Sequence, residues 1–398
     1  MSIWNQLVGQ DEVVQQLSRA VTDADALRRG ERGPAMTHAW LITGPPGSGR
    51  STAATSFAAA LACPEGGCGT CQTCRMSPVN GHPDVHVVAA EGLTYGVDDA
   101  RELVRQSSLS PVEAPWNVFV VEDADRFTDE AVRSLLKSIE EPPPHVVWIL
   151  CAPSVEDVEP TIASRTRHVS LRTPTPASVA QVLQDAYGVD PAMATFAARA
   201  SQGHIGRARA LATDEHARLR RQEVMRVPFE LRDVPSCYAK AAGLMAAATE
   251  DARAITDAID DAEVSSLNSA YGMGSEGVTK VRIQRLMSKD LKELTKAQES
   301  RQKRTVVDQV DRVIIDLMGL YRDVLLLQVN GDVDLINAEM HPQLATIAER
   351  SSSADTARRL QALAHARLQL KANVSPQLIL EALMVELRDP WIRTAQLV

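Results

Sequence analysis

The stretch "LITGPPGSGRST" at 41–52 constrains the fold of this chain more than any other feature. It follows a short apolar run, "AWLIT", and leads into an alanine-rich segment with helical character, "STAATSFAAALA". Its spacing is Gly, four residues, Gly, a basic residue and then Ser, with Arg50 where phosphate-binding loops carry Lys. A glycine-rich turn between a strand and a helix directs backbone N–H groups and the helix N-terminus towards an anion. The pattern therefore predicts a strand, a phosphate-binding loop and a helix in succession.

The loop residues assigned to nucleotide binding are Gly44, Gly47, Ser48, Gly49, Arg50, Ser51 and Thr52. The glycines allow the backbone geometry, and the Ser51 hydroxyl is placed to face Mg²⁺. Arg50 keeps the positive charge of the usual Lys, but its planar guanidinium is larger and differently shaped. Two interpretations stay open: a loop that still binds ATP or ADP with Mg²⁺, and a glycine-rich turn that only keeps the shape.

The 398 residues are too many for one compact core, so we expect two or three domains. Up to about residue 172, apolar strand-like runs alternate with helical segments, which predicts an α/β fold with a parallel sheet covered on both faces. The proline-rich "RTPTPAS" at 172–178 is a candidate boundary, and beyond it only helices are predicted. The strands expected before it are 39–43, 83–90, 117–124 and 145–152.

The charge and hydropathy patterns narrow the function classes. No apolar run is long enough to span a bilayer, and the N-terminus shows no signal-peptide pattern, so we expect a cytoplasmic protein without a membrane partner. The net charge of −9 argues against general coating of nucleic acid. The segment 275–304 is locally basic, with nine Lys or Arg and three Asp or Glu between 280 and 304. It is either a solvated helix or a surface for DNA or an acidic partner.

Two acids follow the strand-like run in "FVVEDADR". In phosphate-loop ATPases the acids at this position hold Mg²⁺ and polarise the attacking water, usually in the order Asp then Glu. Here the order is Glu122 and then Asp123, which changes the reach of both carboxylates. Simple strand-end acids remain the alternative.

Four of the six cysteines fall within "CPEGGCGTCQTC". The candidate ligands are Cys63, Cys68, Cys71 and Cys74. Four thiolates at this spacing can close a tetrahedral, purely structural Zn²⁺ site. A redox pair of cysteines is the competing interpretation.

Arg165 lies in "ASRTRHV", shortly after the last predicted strand. It is either an ordinary surface arginine or an arginine finger that reaches a phosphate on a neighbouring subunit. The spacing by itself does not choose between the two.

Taken together, these segments resemble the bacterial DNA polymerase III clamp-loader subunits, members of the AAA+ class. The order of motifs is similar to that family over residues 1–215: "LVGQDEVVQQL" (7–17), the phosphate loop, the cysteines, "GHPD" (81–84), "GVDDAREL" (96–103), "SLLKSIEEPP" (134–143) and "SRT" (164–166). The last of these departs from the family's Ser-Arg-Cys by carrying Thr166 in the Cys position.

The resemblance implies a RecA-like AAA+ domain at 1–172 with a zinc knuckle at 63–74, a small helical lid at 173–215 and an α-helical collar at 216–398. Within the lid, Arg207 matches the second-sensor region of the family. The segment 260–304 looks like an insertion in the collar.

Where the sequence departs from the family pattern, it is more similar to the delta-prime type of subunit than to the gamma/tau motor. Arg50, the Glu122-Asp123 order and "APS" at 152–154 all differ where the motor carries hydrolytic groups, whereas Arg165 is retained. The resemblance then implies a subunit without significant ATPase or polymerase activity that supplies Arg165 in trans to a gamma/tau ATP site.

The partners implied are gamma/tau and delta subunits in a five-subunit ring, the sliding clamp and primer-template DNA. The alternatives are a hydrolysing motor subunit that uses Arg50 as the loop lysine, and a zinc-dependent DNA-binding module.

Overall fold

The computed structural model describes residues 2–77, 81–90, 94–271 and 287–388. The chain forms two compact units, residues 1–213 and 214–398. Among the described residues, no helix combines the length and the apolarity that a membrane span needs.

The first unit alternates strands and helices as the sequence predicts. Its elements are α1 (Asp11–Arg28), β1 (Ala39–Thr43), α2 (Arg50–Ala62), α3 (Gln72–Met76), β2 (Val85–Val88), α4 (Val97–Ser107), β3 (Asn117–Val121), α5 (Asp129–Glu140), β4 (Val146–Ala152), α6 (Pro160–Ala163), β5 (Arg167–Ser170), α7 (Pro176–Tyr187), α8 (Pro191–Ala200) and α9 (Ile205–Thr213). Thr128 caps α5, since its side chain accepts a hydrogen bond from the Ala131 N–H.

The five strands form one parallel sheet in the order β2-β3-β4-β1-β5. Its side chains alternate between two apolar clusters. Trp40 and Ile42 of β1 pack on the face covered by α1 and α2, whereas Ala39 and Leu41 pack on the face covered by α4 and α5. Because both faces are buried, the central strands β1, β3 and β4 read as nearly continuous apolar runs. The predicted parallel sheet with two covered faces is confirmed.

The short edge strand β5 was not among the predicted strands. Only Val169 of its four residues is buried, so the segment lacks the apolar run that marks the other strands. It becomes a strand because β1 offers it a free edge, with Leu41 opposite His168 and Thr43 opposite Ser170.

The second unit is helical throughout the part of it that the structure describes. Its helices are α10 (Glu215–Met225), α11 (Val227–Glu230), α12 (Val234–Ala270), α13 (Ser288–Gln328), α14 (His341–Arg350), α15 (Ser353–Lys371) and α16 (Pro376–Leu387). Leu317, Tyr321, Leu363 and Leu380 lie in its apolar core. Ser375 precedes α16 as its N-cap residue, but its side chain makes no capping hydrogen bond.

The long helices α12 and α13 pair beyond this core as a hairpin. Arg301 donates to Glu263 at 2.7 Å and lies 3.3 Å from Asp260, while Gln298 donates to the Asp260 carbonyl at 3.1 Å. Residues 272–286, which include the start of the basic segment, lie outside the described residues. In the described part, Arg301 is used to hold the two helices together.

Candidate functional site

The loop after β1 has the backbone geometry that the glycine spacing predicts. Gly47 and Gly49 adopt left-handed φ values of 83° and 94°, and Gly49 is the N-cap of α2. A β-carbon on Gly47 would come within 2.4–2.5 Å of His204, so Gly47 also allows a close approach between the loop and the segment before α9. Gly49 has open space instead. Glycine is therefore needed at 47 for conformation and for packing, and at 49 for conformation only.

Arg50 bonds to its own loop. Its Nη1 donates to the carbonyl oxygen of Gly44, the first residue of the loop, at 2.9 Å. Ser48 is buried, whereas Ser51 is exposed and Thr52 half-buried on the first turn of α2. The exposed Ser51 is compatible with the hydroxyl position that Mg²⁺ would require.

The acid pair lies at the carboxyl edge of the sheet beside this loop. Glu122 directly follows β3, and Asp123 adopts a φ of 51° and lies 3.8 Å from Arg126. Burial raises the pKa of the Cys151 thiol on β4, the charge of Glu122 acts in the same direction, and the charge of Arg50 opposes it. Glu122 and Arg50 thus both lie near one buried thiol at this edge.

The end of β4 presents backbone rather than a hydroxyl to the loop. The carbonyl of Pro153 accepts a hydrogen bond from the Gly44 N–H at 3.2 Å. Ala152 is fully buried, and the Ser154 hydroxyl donates to Asp157 at 3.1 Å. A polar side chain that could sense a terminal phosphate is not found at 152 or 153.

Arg207 lies on α9, three residues after His204. Its backbone N–H donates to Nδ1 of His204 at 3.2 Å, and its side chain is half-buried. Since His204 also packs against Gly47, the helix that carries Arg207 begins next to the loop. The structure brings together the loop, the acid pair and the start of this helix.

Arg165 is not part of that group. It follows α6 on an exposed turn, and its side chain is 40% exposed. Its Nε donates to Glu140 at the end of α5, and its Nη1 donates to the Thr161 carbonyl at 2.8 Å and to the Ser164 hydroxyl at 3.2 Å. The guanidinium is held in place by its own chain while it remains accessible.

The four cysteines converge as the spacing predicts. Their sulfur atoms all lie within 4.8 Å of one another, and Cys63 Sγ is 3.8 Å from that of Cys68 and 3.7 Å from that of Cys71. Four Zn–S bonds of about 2.3 Å in a tetrahedron place sulfur atoms about 3.8 Å apart. The positions of Cys63, Cys68 and Cys71 therefore fit a zinc ion without rearrangement, and Cys74 lies within reach as the fourth ligand.

Backbone N–H groups support the thiolates of this cluster. Cys71 and Cys74 donate their N–H groups to the sulfurs of Cys68 and Cys71, both at 3.4 Å. The hydroxyl and backbone of Thr70, with the N–H of Cys71, lower the pKa of Cys68 to about 6, whereas burial raises that of Cys74. Because metal ligation requires thiolates, the hydrogen bonds to Cys68 favour its ligation.

Sequence reasoning missed several side chains that position the site. Gln10 exchanges hydrogen bonds with the backbone of Arg172, at 2.6 and 3.2 Å, and so ties the start of the chain to the end of the sheet. Buried Asp84 accepts three backbone N–H bonds from residues 112–114. The motifs "LVGQ" and "GHPD" contained these residues, but nothing local in the sequence indicates their distant backbone partners.

Comparison with known proteins relates the first unit to replication proteins. Residues 20–175 match the family model described as DNA polymerase III, delta subunit. The chain is 34% identical over 208 residues to DNA polymerase III subunit gamma/tau of Mycobacterium tuberculosis, which covers 50% of this chain and 34% of that protein. It is 30% identical over 166 residues to the delta' subunit of Bacillus subtilis, covering 41% of this chain and 50% of that protein. The matches thus span half or less of these relatives.

Solved structures with a related arrangement include two from Thermotoga maritima. One is a DNA polymerase III gamma subunit-related protein, with 15% identity, a TM-score of 0.41, and coverage of 92% of this chain and 98% of that one. The other is a mutant of RuvB, with 19% identity, a TM-score of 0.39, and coverage of 57% and 66%.

Proposed function

From the relationship of residues 20–175 to the clamp-loader subunits of DNA polymerase III, we propose that this chain is a delta-prime-like subunit of a sliding-clamp loader. It helps to load the clamp onto primed DNA without hydrolysing ATP itself. Its partners are the gamma/tau and delta subunits of a five-subunit ring, the clamp and the primer-template DNA. The first unit then comprises the AAA+ domain and the lid, and the second unit is the collar.

The observation that carries this proposal is the hydrogen bond between Arg50 and the Gly44 carbonyl. In a working phosphate loop the basic side chain contacts the β and γ phosphates. Here it is bonded to the loop, and two further departures surround it: the Glu122-Asp123 order and the absence of a hydroxyl at 152 and 153. Position errors of about 1 Å in such a site cost about 100-fold in rate, so the three changes together disfavour hydrolysis.

The position of Arg165 supports its role as an arginine finger that acts on a phosphate of a neighbouring subunit. It is exposed, already ordered by its own chain and separate from the loop site in the sequence. An arginine supplied by one subunit to a phosphate on another stabilises the charge of the transition state. The cysteine cluster holds a structural zinc ion, with Cys63, Cys68, Cys71 and Cys74 as its ligands and no open position for catalysis.

The second candidate is a motor subunit that hydrolyses ATP with Arg50 in place of lysine. It is favoured by the identity to gamma/tau, 34%, which exceeds the 30% to delta'. Phosphate release by the isolated full chain with Mg-ATP separates the two. We expect no turnover above background. Turnover that disappears in Gly49→Ala would establish the motor instead.

The role of Arg165 is tested in the loader reconstituted with the gamma/tau and delta subunits of the same organism. Arg165→Ala should lower the DNA-stimulated ATPase rate of the complex by about 10³-fold while subunit assembly is unchanged. Arg167→Ala, two positions away on β5, is the matched control. An unaffected ATPase rate in Arg165→Ala would contradict the proposal that Arg165 acts on the ATP of a neighbouring subunit.

A further inference from the structure

Glu140 is the last residue of α5, and its carboxylate accepts the hydrogen bond from Nε of Arg165. The two residues are 25 positions apart, so the contact depends on the packing of α5 against α6. The neighbours of both residues anchor it: Ile139 and Ile162 are both fully buried in the same apolar cluster. The backbone that carries Glu140 and the backbone that carries Arg165 are therefore both anchored by buried neighbours, although the ion pair itself is exposed.

A carboxylate at this position is unfavourable unless it is neutralised. The C-terminus of a helix carries a partial negative charge, which repels Glu140 and the following Glu141. Arg165 compensates Glu140. The side chain of Glu141 makes no hydrogen bond or ion pair with any residue in the described ranges, and it is exposed. Of the two adjacent acids, Glu140 contacts Arg165, whereas Glu141 follows as the C-cap of the helix without that contact.

The contacts of Arg165 leave one nitrogen available. Nε donates to Glu140, and Nη1 donates to the Thr161 carbonyl and to the Ser164 hydroxyl. Nη2 makes no hydrogen bond within the described part of the chain. A guanidinium fixed in this way loses less rotamer freedom when it meets a phosphate than a freely moving one. Its remaining donors are therefore presented in one orientation.

We propose that Glu140 is a positioning residue that orders Arg165 for its contact with the phosphate of a neighbouring subunit. The inference rests on the proposed function of Arg165. Glu140 does not contact the nucleotide, and it acts only through the orientation of the guanidinium. Its removal leaves Arg165 held through Nη1 alone, so the guanidinium is less firmly oriented and the transition state is stabilised less often, while binding of ATP to the neighbour is unchanged.

The test uses the reconstituted loader and compares kcat and KM for ATP. Glu140→Ala should lower kcat by about 10–100-fold with KM within about twofold of wild type. Glu140→Gln keeps an acceptor oxygen and should retain at least about a third of the rate. Glu141→Ala is the matched control and should behave as wild type. Since the pair is on the surface, thermal stability and assembly should be unchanged in all three.

A second comparison excludes an indirect effect of Glu140. In the Arg165→Ala background, Glu140→Ala should cause no further loss, because the residues act as a unit. A wild-type or raised kcat in Glu140→Ala, with Arg165→Ala inactive, would overturn this inference and leave the proposed function intact. Additive losses in the double variant would overturn it as well. A wild-type rate in Arg165→Ala would overturn both.

Discussion

At the scale of single residues, buried Asp84 shows how one side chain organises a connection. Its carboxylate accepts N–H bonds from Val112, Glu113 and Ala114 at 2.6, 2.7 and 2.6 Å. Burial by itself would raise the pKa of Asp84, but the three donors outweigh it and hold the pKa below its usual value. Asp84 thereby fixes the connection between α4 and β3, the strand that ends at the acid pair.

Asp84→Asn should destabilise the first unit by about 1.5–3 kcal/mol, because an amide cannot accept three N–H bonds and brings donors of its own. The depressed pKa means that the stabilisation is present above the unfolded-state pKa of about 3.9 and is lost as pH falls through the folded-state value. The difference between the variant and wild type in urea unfolding should therefore shrink in acid. Asp98→Asn, at an exposed position, is the control. A constant difference down to pH 2 would contradict this account.

At the scale of elements, the cysteine cluster links the C-terminus of α2 to α3. Cys63 and Cys74 are buried in the same apolar cluster as Trp40 and Phe57. The knuckle is therefore part of the core that covers one face of the sheet. Loss of a metal ion here should affect the stability of that face.

Metal analysis of the purified chain should find about one zinc per molecule. Cys68→Ser should abolish stoichiometric zinc and lower the melting temperature of the first unit, since binding of the ion contributes to folding. Cys237→Ala, in the core of the second unit, should keep the zinc. A metal-free wild type after gentle purification, or full occupancy in Cys68→Ser, would rule out the four-cysteine site.

The hairpin formed by the parts of α12 and α13 within 260–304 is a second element, and its contribution to folding can be tested separately from that of the apolar core. The apolar core of the second unit uses Cys237–Ala248 of α12 and Val310–Val324 of α13, and its buried members do not include residues of 260–304. Because Asp260 lies close to Arg301, the chain on either side of the segment is near enough for a short linker.

Replacement of 260–304 by a short Gly-Ser linker should therefore leave the second unit folded. The lost contacts within the described residues include surface ion pairs, worth about 1 kcal/mol or less each. Circular dichroism should show less helix with a melting transition close to that of wild type. Leu317→Ala, in the core, should instead cost about 2–5 kcal/mol. A molten second unit after the replacement would show that the segment is integral to it.

At the scale of the whole molecule, the two units have separate cores. The sheet lies between two apolar clusters that contain residues 3–171, and the third cluster contains residues 224–387. A chain with separate cores need not unfold in one step. Four of the five tryptophans, Trp4, Trp40, Trp116 and Trp148, belong to the first unit, and the fifth is at position 391, outside the described residues.

Unfolding in urea should therefore give different midpoints by tryptophan fluorescence and by circular dichroism. Leu363→Ala should shift the part of the circular dichroism transition that fluorescence does not follow and leave the fluorescence transition in place. Asp84→Asn should shift the fluorescence transition together with the part of the circular dichroism transition that comes from the helices of the first unit. Coincident transitions that move together in both variants would show that the chain unfolds as one cooperative body.

The sequence alone determined the features whose signal is local. Backbone restrictions at Gly47 and Gly49 and the apolar runs of the central strands act over a few residues, and each predicted its element correctly. The spacing of the four cysteines likewise predicted that their sulfur atoms converge, whereas the zinc ion itself stays a prediction. The edge strand β5 was not predicted, because its extended conformation depends on pairing with β1, which lies far away in the sequence.

Tertiary structure decided the contacts that give these elements their chemical setting. Arg50 bonds to Gly44, His204 packs on Gly47, Asp84 holds residues 112–114, and Glu140 holds Arg165. Three of these four contacts join residues at least 25 positions apart. Such pairs form because buried neighbours bring distant segments together, and a single sequence carries no local pattern that identifies the partner.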